Sequence, residues 1–329
     1  MPEMNSRERV LAALAHQQPD RTPLWLGHPM PEVVDRLMAH YGVADHESML
    51  RAIGDDFRWK GVFQWRSPDG RFPLDMTGLS PVNFETLADV EAYTWPDPQY
   101  ADVSETRRHC LAAKDYAIYG GSWSHFFHQV WDLMGPEDYM TKMLTNPEIV
   151  EAITNRVVDF HYAVNEKLFK EAGDLIDLFF FGNDLGTQRG LLFSRDLFLK
   201  FIKPGMVRLI EQAKSYGLHV WLHSCGSVRD IIPDLIEMGI EALHPVQVSA
   251  AGMSVEELGR EFRGKITFIG GVDVHHLMRE GTPEEVRAAV RFNKQHLGPG
   301  YVVSPSHEAV LPDIPTANLI AMIDEAKAC

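Results

Sequence analysis

Cysteine is scarce in this chain: Cys110, Cys225 and Cys329 are the only three in 329 residues. An odd, scattered set builds no disulfide framework, which suits a reducing, cytoplasmic setting. Positive charge is also short. With 31 Lys and Arg against 46 Asp and Glu, the formal charge of −15 repels nucleic-acid phosphates and anionic lipid surfaces alike. No apolar run reaches the roughly 18 residues that span a bilayer, and the opening Met-Pro-Glu-Met-Asn-Ser-Arg does not read as a signal peptide. GxGxxG and GxxxxGK are both missing, and with them the glycine-rich phosphate loops of nucleotide-binding folds. The expectation is a soluble protein that acts on a small molecule, with no nucleic-acid or membrane partner.

Apolar residues make up 45% of the chain, enough for a core of full size. After an amphipathic helix over 5–16, short apolar segments recur at 22–26, 61–65, 116–120, 175–182, 218–223, 242–246, 266–271 and 301–305. Helical patterns fill most gaps, at 147–171, 196–216, 228–238, 254–262, 282–296 and 315–327. Caps mark several starts: Asn5 or Ser6, Asn146 before Pro147, Ser254 with Glu257, and Thr282 before Pro283. About eight strands alternating with helices predict an α/β fold, a (β/α)8 TIM barrel with an N-terminal helical segment. A doubly wound open sheet is the rival. The barrel is preferred because the polar residues that could do chemistry follow strand ends, where such barrels build their sites. The whole of 1–329 reads as one domain, with residues 66–115 an excursion from it.

The segment Leu218-His-Val-Trp-Leu-His223-Ser-Cys225-Gly226 is an apolar strand that ends in His-x-Cys-Gly. Side chains alternate along a strand, so His223 and Cys225 project to one side. An imidazole and a thiol converging at a strand end suit zinc. The plainer reading is a small buried Cys beside a hydrogen-bonded His. A third ligand is expected from the last strand end, Ser304-Pro-Ser-His307-Glu308, with His307 preferred and Glu308 second. Cys329 is set aside, because roughly 15 helical residues at 1.5 Å each carry the terminus about 20 Å from the mouth. Cys110 reads as packed and inert.

Asp184 follows the apolar run Phe179-Phe-Phe-Gly-Asn183. It could orient a ligating imidazole, bind substrate, transfer a proton or cap a turn. Asn183, Gln188, Gln247 and Asp273 also stand at or just past strand ends and are candidate substrate contacts, as is His125. His125 lies in an aromatic patch with Trp123, Phe126, Phe127, His128 and Trp131, which could wall a pocket for a flat ligand or simply be core. His275 and His276 read as solvent or packing residues.

The motifs Ser6-Arg-Glu-Arg-Val-Leu-Ala-Ala-Leu…Pro19-Asp-Arg-Thr-Pro23, Asp184-Leu-Gly-Thr-Gln188, His223-Ser-Cys-Gly226 and Gly270-Gly-Val-Asp273 occur in an order that resembles the uroporphyrinogen decarboxylase superfamily. The resemblance runs nearly the whole length and implies the barrel. In that superfamily, metal-free decarboxylases bind a tetrapyrrole through an N-terminal Gly-Arg-Tyr segment, and zinc methyltransferases carry His-x-Cys with a distant Cys. Here the first region reads Leu24-Trp-Leu-Gly-His28, without the arginine, while His223 and Cys225 match the second pattern. Ser306-His307-Glu308 stands where the distant Cys would be. The chain therefore looks similar to the methyltransferase branch, which implies zinc, a corrinoid as substrate or on a partner protein, and transfer of a methyl group to a thiol or folate. Polarisation of a carbonyl by the metal, with Asp184 moving the proton, is a second enzymatic reading. The superfamily also leaves room for porphyrin decarboxylation, and for a corrinoid- or tetrapyrrole-binding protein without turnover.

Overall fold

Period-two alternation sorts the side chains of this fold into two apolar layers. In the computed structural model, which describes residues 3–328, seven parallel strands pair in chain order. They are β1 (Phe57–Gly61), β2 (Ala117–Trp123), β3 (Leu178–Gly182), β4 (His219–His223), β5 (Ala242–Val246), β6 (Thr267–Val272) and β7 (Tyr301–Pro305). Leu178 and Phe180 of β3 and Trp221 of β4 point to the concave side and meet Trp25, Phe57, Tyr119, Ala242, Ile269 and Val302. Their neighbours Phe179, Phe181, Val220 and Leu222 point outward into the layer shared with the helices. The helices Pro147–Ala172, Lys203–Ser215, Ile232–Met238, Val255–Phe262 and Pro283–Leu297 return the chain between strands, and Thr316–Lys327 follows β7.

The curled sheet is barrel-like but does not close through an eighth ladder. The eighth position is held by residues 23–26, which make a single bridge, Leu24 to Val303. Trp25 N donates to Val303 O at 3.0 Å and Val303 N to Pro23 O at 2.9 Å. On the β1 side, the Leu24 and Leu26 amides donate to the side chains of Asp56 (2.9 Å) and Asp55 (2.7 Å). Carboxylates thus stand where strand carbonyls would, and the expected strand at 22–26 becomes a clamped segment. The strand expected at 61–65 lies earlier, at β1. Arg58, buried in that strand and covered by the Tyr116 ring at 3.8 Å, breaks the apolar pattern that would have marked it. Gln64–Trp65 instead pairs antiparallel with Ala101–Asp102, outside the main sheet.

The first helix, Ser6–Leu14, is held by the capping box of Asn5 with Glu8, and Val10 and Leu14 plug the concave layer. It lies under the strand starts: Arg7 pairs with Asp177, just ahead of β3, and Thr267 of β6 donates its hydroxyl to Ala13 O. Thr282 and Ser254 cap their helices as expected. Asn146 does not: it holds the cap position of Pro147–Ala172 without a side-chain cap bond. The base is therefore sealed, and the strand ends are left as the open face.

Candidate metal centre

Register brings the site together. Gly182 of β3 and His244 of β5 stand level with His223 on either side of it. Past β4 the chain is clamped from both flanks. Leu185 N donates to Ser224 Oγ at 3.0 Å, Cys225 N to Asp184 Oδ1 at 2.8 Å, and Gly226 N to Gln247 Oε1 at 2.7 Å. Gly226 has φ +81° and packs so closely on Gly186 that a Cβ there would collide with its backbone. That close approach explains the glycine after the cysteine.

His223 Nε2 lies 3.5 Å from Cys225 Sγ and 3.3 Å from Asp184 Oδ1. Zinc bond lengths at a tetrahedral angle place two ligands about 3.6 Å apart for N and S, and about 3.4 Å for N and O. Both edges at His223 Nε2 match those of a zinc tetrahedron, and the donor atoms of His223, Cys225 and Asp184 all lie within 4.8 Å of one another, so the residues present fit zinc. His307 and Glu308 form a second donor group with Cys225, and Glu308 a third with His223 and His244. Among the described residues Glu308 Oε2 is buried without a hydrogen-bond partner, 3.6 Å from His223 Nδ1 and 3.5 Å from His307 Nδ1. His307 Nδ1 already accepts the Ala309 amide at 3.0 Å. His307 is thus brought to Cys225 but not into one group with His223. Cys329 lies outside the described residues.

Burial pushes the Cys225 thiol up, and the nearby carboxylates of Asp184 and Glu308 push it further. Burial also works against ionisation of Asp184, but the hydrogen bond from His223 and that of the Cys225 amide outweigh it and hold the carboxyl at about 2. An anionic oxygen beside a protonated thiol favours a cation that can replace the thiol proton. Among the described residues, Asp184 and Glu308 make ion-pair contacts with histidines only: His128 and His223 for the first, His223 and His307 for the second.

Several of the other candidate residues make contacts to the backbone. The Asn183 side chain is spent on the backbone, accepting Phe127 N at 3.0 Å and donating to Ser124 O at 3.4 Å. Gln247 is the clamp on Gly226. Gln188 is exposed in a turn after β3. Asp273 accepts the amides of His275, His276 and Leu277 and so acts as a cap. His125, lowered to about 4 by burial, has an unpartnered Nδ1 and lines a cavity of about 600 Å³ with Gln129 and Asp132. Phe126 and Phe127 are core. Cys110 is buried, and its thiol is raised to about 11 by that burial.

Two further residues stand beside the donor cluster. His244 is visible in the sequence only as a polar residue on a strand, without its partner across the ladder. Trp123 has φ +60°, a strained value for so bulky a residue. The strain lays its indole over Gly182, against Phe180 at 4.8 Å and His223 at 5.5 Å. It walls the donor cluster instead of joining the core.

The family model described as uroporphyrinogen decarboxylase (URO-D) matches residues 81–329. Among solved structures, the chain is similar to a methyltransferase from Methanosarcina mazei, with 17% identity, 98% of each chain covered and a TM-score of 0.63. At that identity the likeness establishes the fold alone. No curated protein matches significantly.

Proposed function

Because the chain belongs to the uroporphyrinogen decarboxylase family, we propose that it is a zinc-dependent methyltransferase of that family, moving a methyl group between a corrinoid or methylated substrate and a thiol or folate acceptor. The observation that carries this reading is the convergence of His223 Nε2, Cys225 Sγ and Asp184 Oδ1 at zinc-ligand spacing on the strand-end face. The segment Leu24-Trp-Leu-Gly-His28, without the arginine of the tetrapyrrole-binding motif, weighs against decarboxylation of a poly-acid, whose carboxylates need cationic partners.

Zinc, when bound, would stabilise an acceptor thiol as its thiolate near neutral pH. The chain's own residues do the rest. His223 and Cys225 come from one clamped strand end, so their separation is set by the fold. Asp184 fixes the Cys225 amide through Oδ1 and turns Oδ2 toward His128 at 3.8 Å, a partly exposed imidazole able to take up the released proton. Trp123 lies against the His223 ring at 5.5 Å and presents an apolar wall there. In the transfer, the sulfur–carbon bond forms as the methyl leaves its donor, and the electron pair of the broken bond stays with the donor.

The test is an anaerobic assay of zinc-loaded protein with methylcobalamin and a series of thiols, followed by the cobalamin absorbance. Thiol-dependent demethylation that vanishes in Cys225→Ala is expected. Background rates with every thiol and folate acceptor, together with coproporphyrinogen formed from uroporphyrinogen, would replace this reading with decarboxylation.

A further inference from the structure

His244 is fully buried on β5, and its Nδ1 stands 2.9 Å from Nδ1 of His223. Its Nε2 has no partner among the described residues. Two ring nitrogens at that distance share a single proton, since two lone pairs or two N–H groups would repel. The two tautomers are therefore coupled. With the proton on His223 Nδ1, a neutral His223 presents its Nε2 lone pair to Cys225 and Asp184. With the proton on His244 Nδ1, a neutral His223 must carry its own proton at Nε2, which blocks metal ligation there.

We infer that His244 is a positioning residue for the metal centre, accepting the His223 Nδ1–H and so holding His223 in the tautomer that ligates through Nε2. The inference rests on the reading of His223 as a ligand. Three observations support it. Glu308 Oε2, the other acceptor near His223 Nδ1, is 3.6 Å away, beyond hydrogen-bond reach. The 2.9 Å between the two Nδ1 atoms is shorter than the about 3.4 Å edge of a zinc tetrahedron, so they do not ligate one ion together and a shared proton is the arrangement that fits. Trp25 packs edge-to-face on His244 at 4.8 Å and Trp221 at 6.1 Å, which fixes the ring plane. Partners of this kind typically change metal affinity by 10–100-fold when removed.

The experiment measures zinc affinity of the full-length chain by competition with a chromophoric chelator, for wild type, His244→Asn and His244→Leu. The Asn carbonyl can occupy the Nδ1 position and accept; Leu cannot. His244→Asn should bind within about threefold of wild type, and His244→Leu about 10–100-fold more weakly. A merely structural role would lower both alike, and thermal melts of the metal-free forms separate the two cases. Should the variants not fold, ¹⁵N imidazole spectra of zinc-loaded wild type decide: His223 should carry its proton at Nδ1, and His244 should carry none there. Wild-type affinity in His244→Leu, equal losses in both variants, or an unprotonated His223 Nδ1 overturns the inference. A wild type that takes up no zinc overturns the metal centre itself, a distinct failure seen before any variant is compared.

Discussion

The two ends of the sheet treat buried charge in opposite ways. At the strand starts, Asp56 is answered by Arg9 and Arg21 at 2.8 Å each and also accepts the Leu24 amide. Asp20 is paired with Arg9 at 2.7 Å and Asp177 with Arg7 at 2.8 Å. At the strand ends, the part-buried Asp184 and Glu308 have only imidazoles as ion-pair contacts, and Glu308 Oε2 and His244 Nε2 are buried without partners among the described residues. Buried polar groups are normally satisfied. Carboxylates answered by arginine serve stability, and carboxylates left to imidazoles are open to a cation.

The largest effect is expected at the base. Asp56→Ala leaves Arg9 and Arg21 without their buried partner and should cost about 3–5 kcal/mol in denaturant unfolding. Zinc content per folded chain should not change. A small loss here, or loss of zinc from a still-folded chain, would erase the contrast between the two ends.

Next comes a pH effect, also at the base. Burial raises Asp55 to about 7, against the pull of Arg58 and the Leu26 and Phe57 amides. An unfolded Asp titrates near 3.9. Between these values the folded state binds the extra proton, so stability falls as pH rises from about 4 through about 7 and then levels off. The fall should be on the order of 4 kcal/mol, and Asp55→Asn should flatten it. Stability that rises over this interval would show the carboxylate to be well paired after all.

The contrast between the two ends also bears on what is legible in the chain itself. The segments 242–246 and 301–305 coincide with β5 and β7, because their apolar runs are bounded by turns and hold no charge. The pattern misplaces β1 because Arg58 lies buried in it, and nothing in the sequence announces that its charge will be met by Glu47 and the Tyr116 ring. His223, Cys225 and Asp184 are legible from strand period and position. The contact of His223 with His244 is not, since it depends on the register between two strands, with the two residues 21 positions apart. His307 stands past a strand end, as its position in the sequence suggests. Its Nδ1 is held by Ala309 because 309–310 pairs with 28–29 and turns the chain there, a contact between the two extremes of the sequence.

The smallest expected effect separates a cap from a ligand contact at the mouth. Asp273→Ala removes the acceptor for three amides and should cost about 1 kcal/mol. Zinc affinity and transfer rate should not move. A loss of either would make Asp273 part of the site.

The most direct test of the metal centre is the metal content of the purified chain after loading with zinc and exhaustive dialysis. Wild type should retain about one zinc per chain, and Cys225→Ala should retain none while keeping its circular dichroism spectrum. Full occupancy in Cys225→Ala, or a wild type that holds no zinc, would contradict the claim that the open end of the sheet is a metal centre.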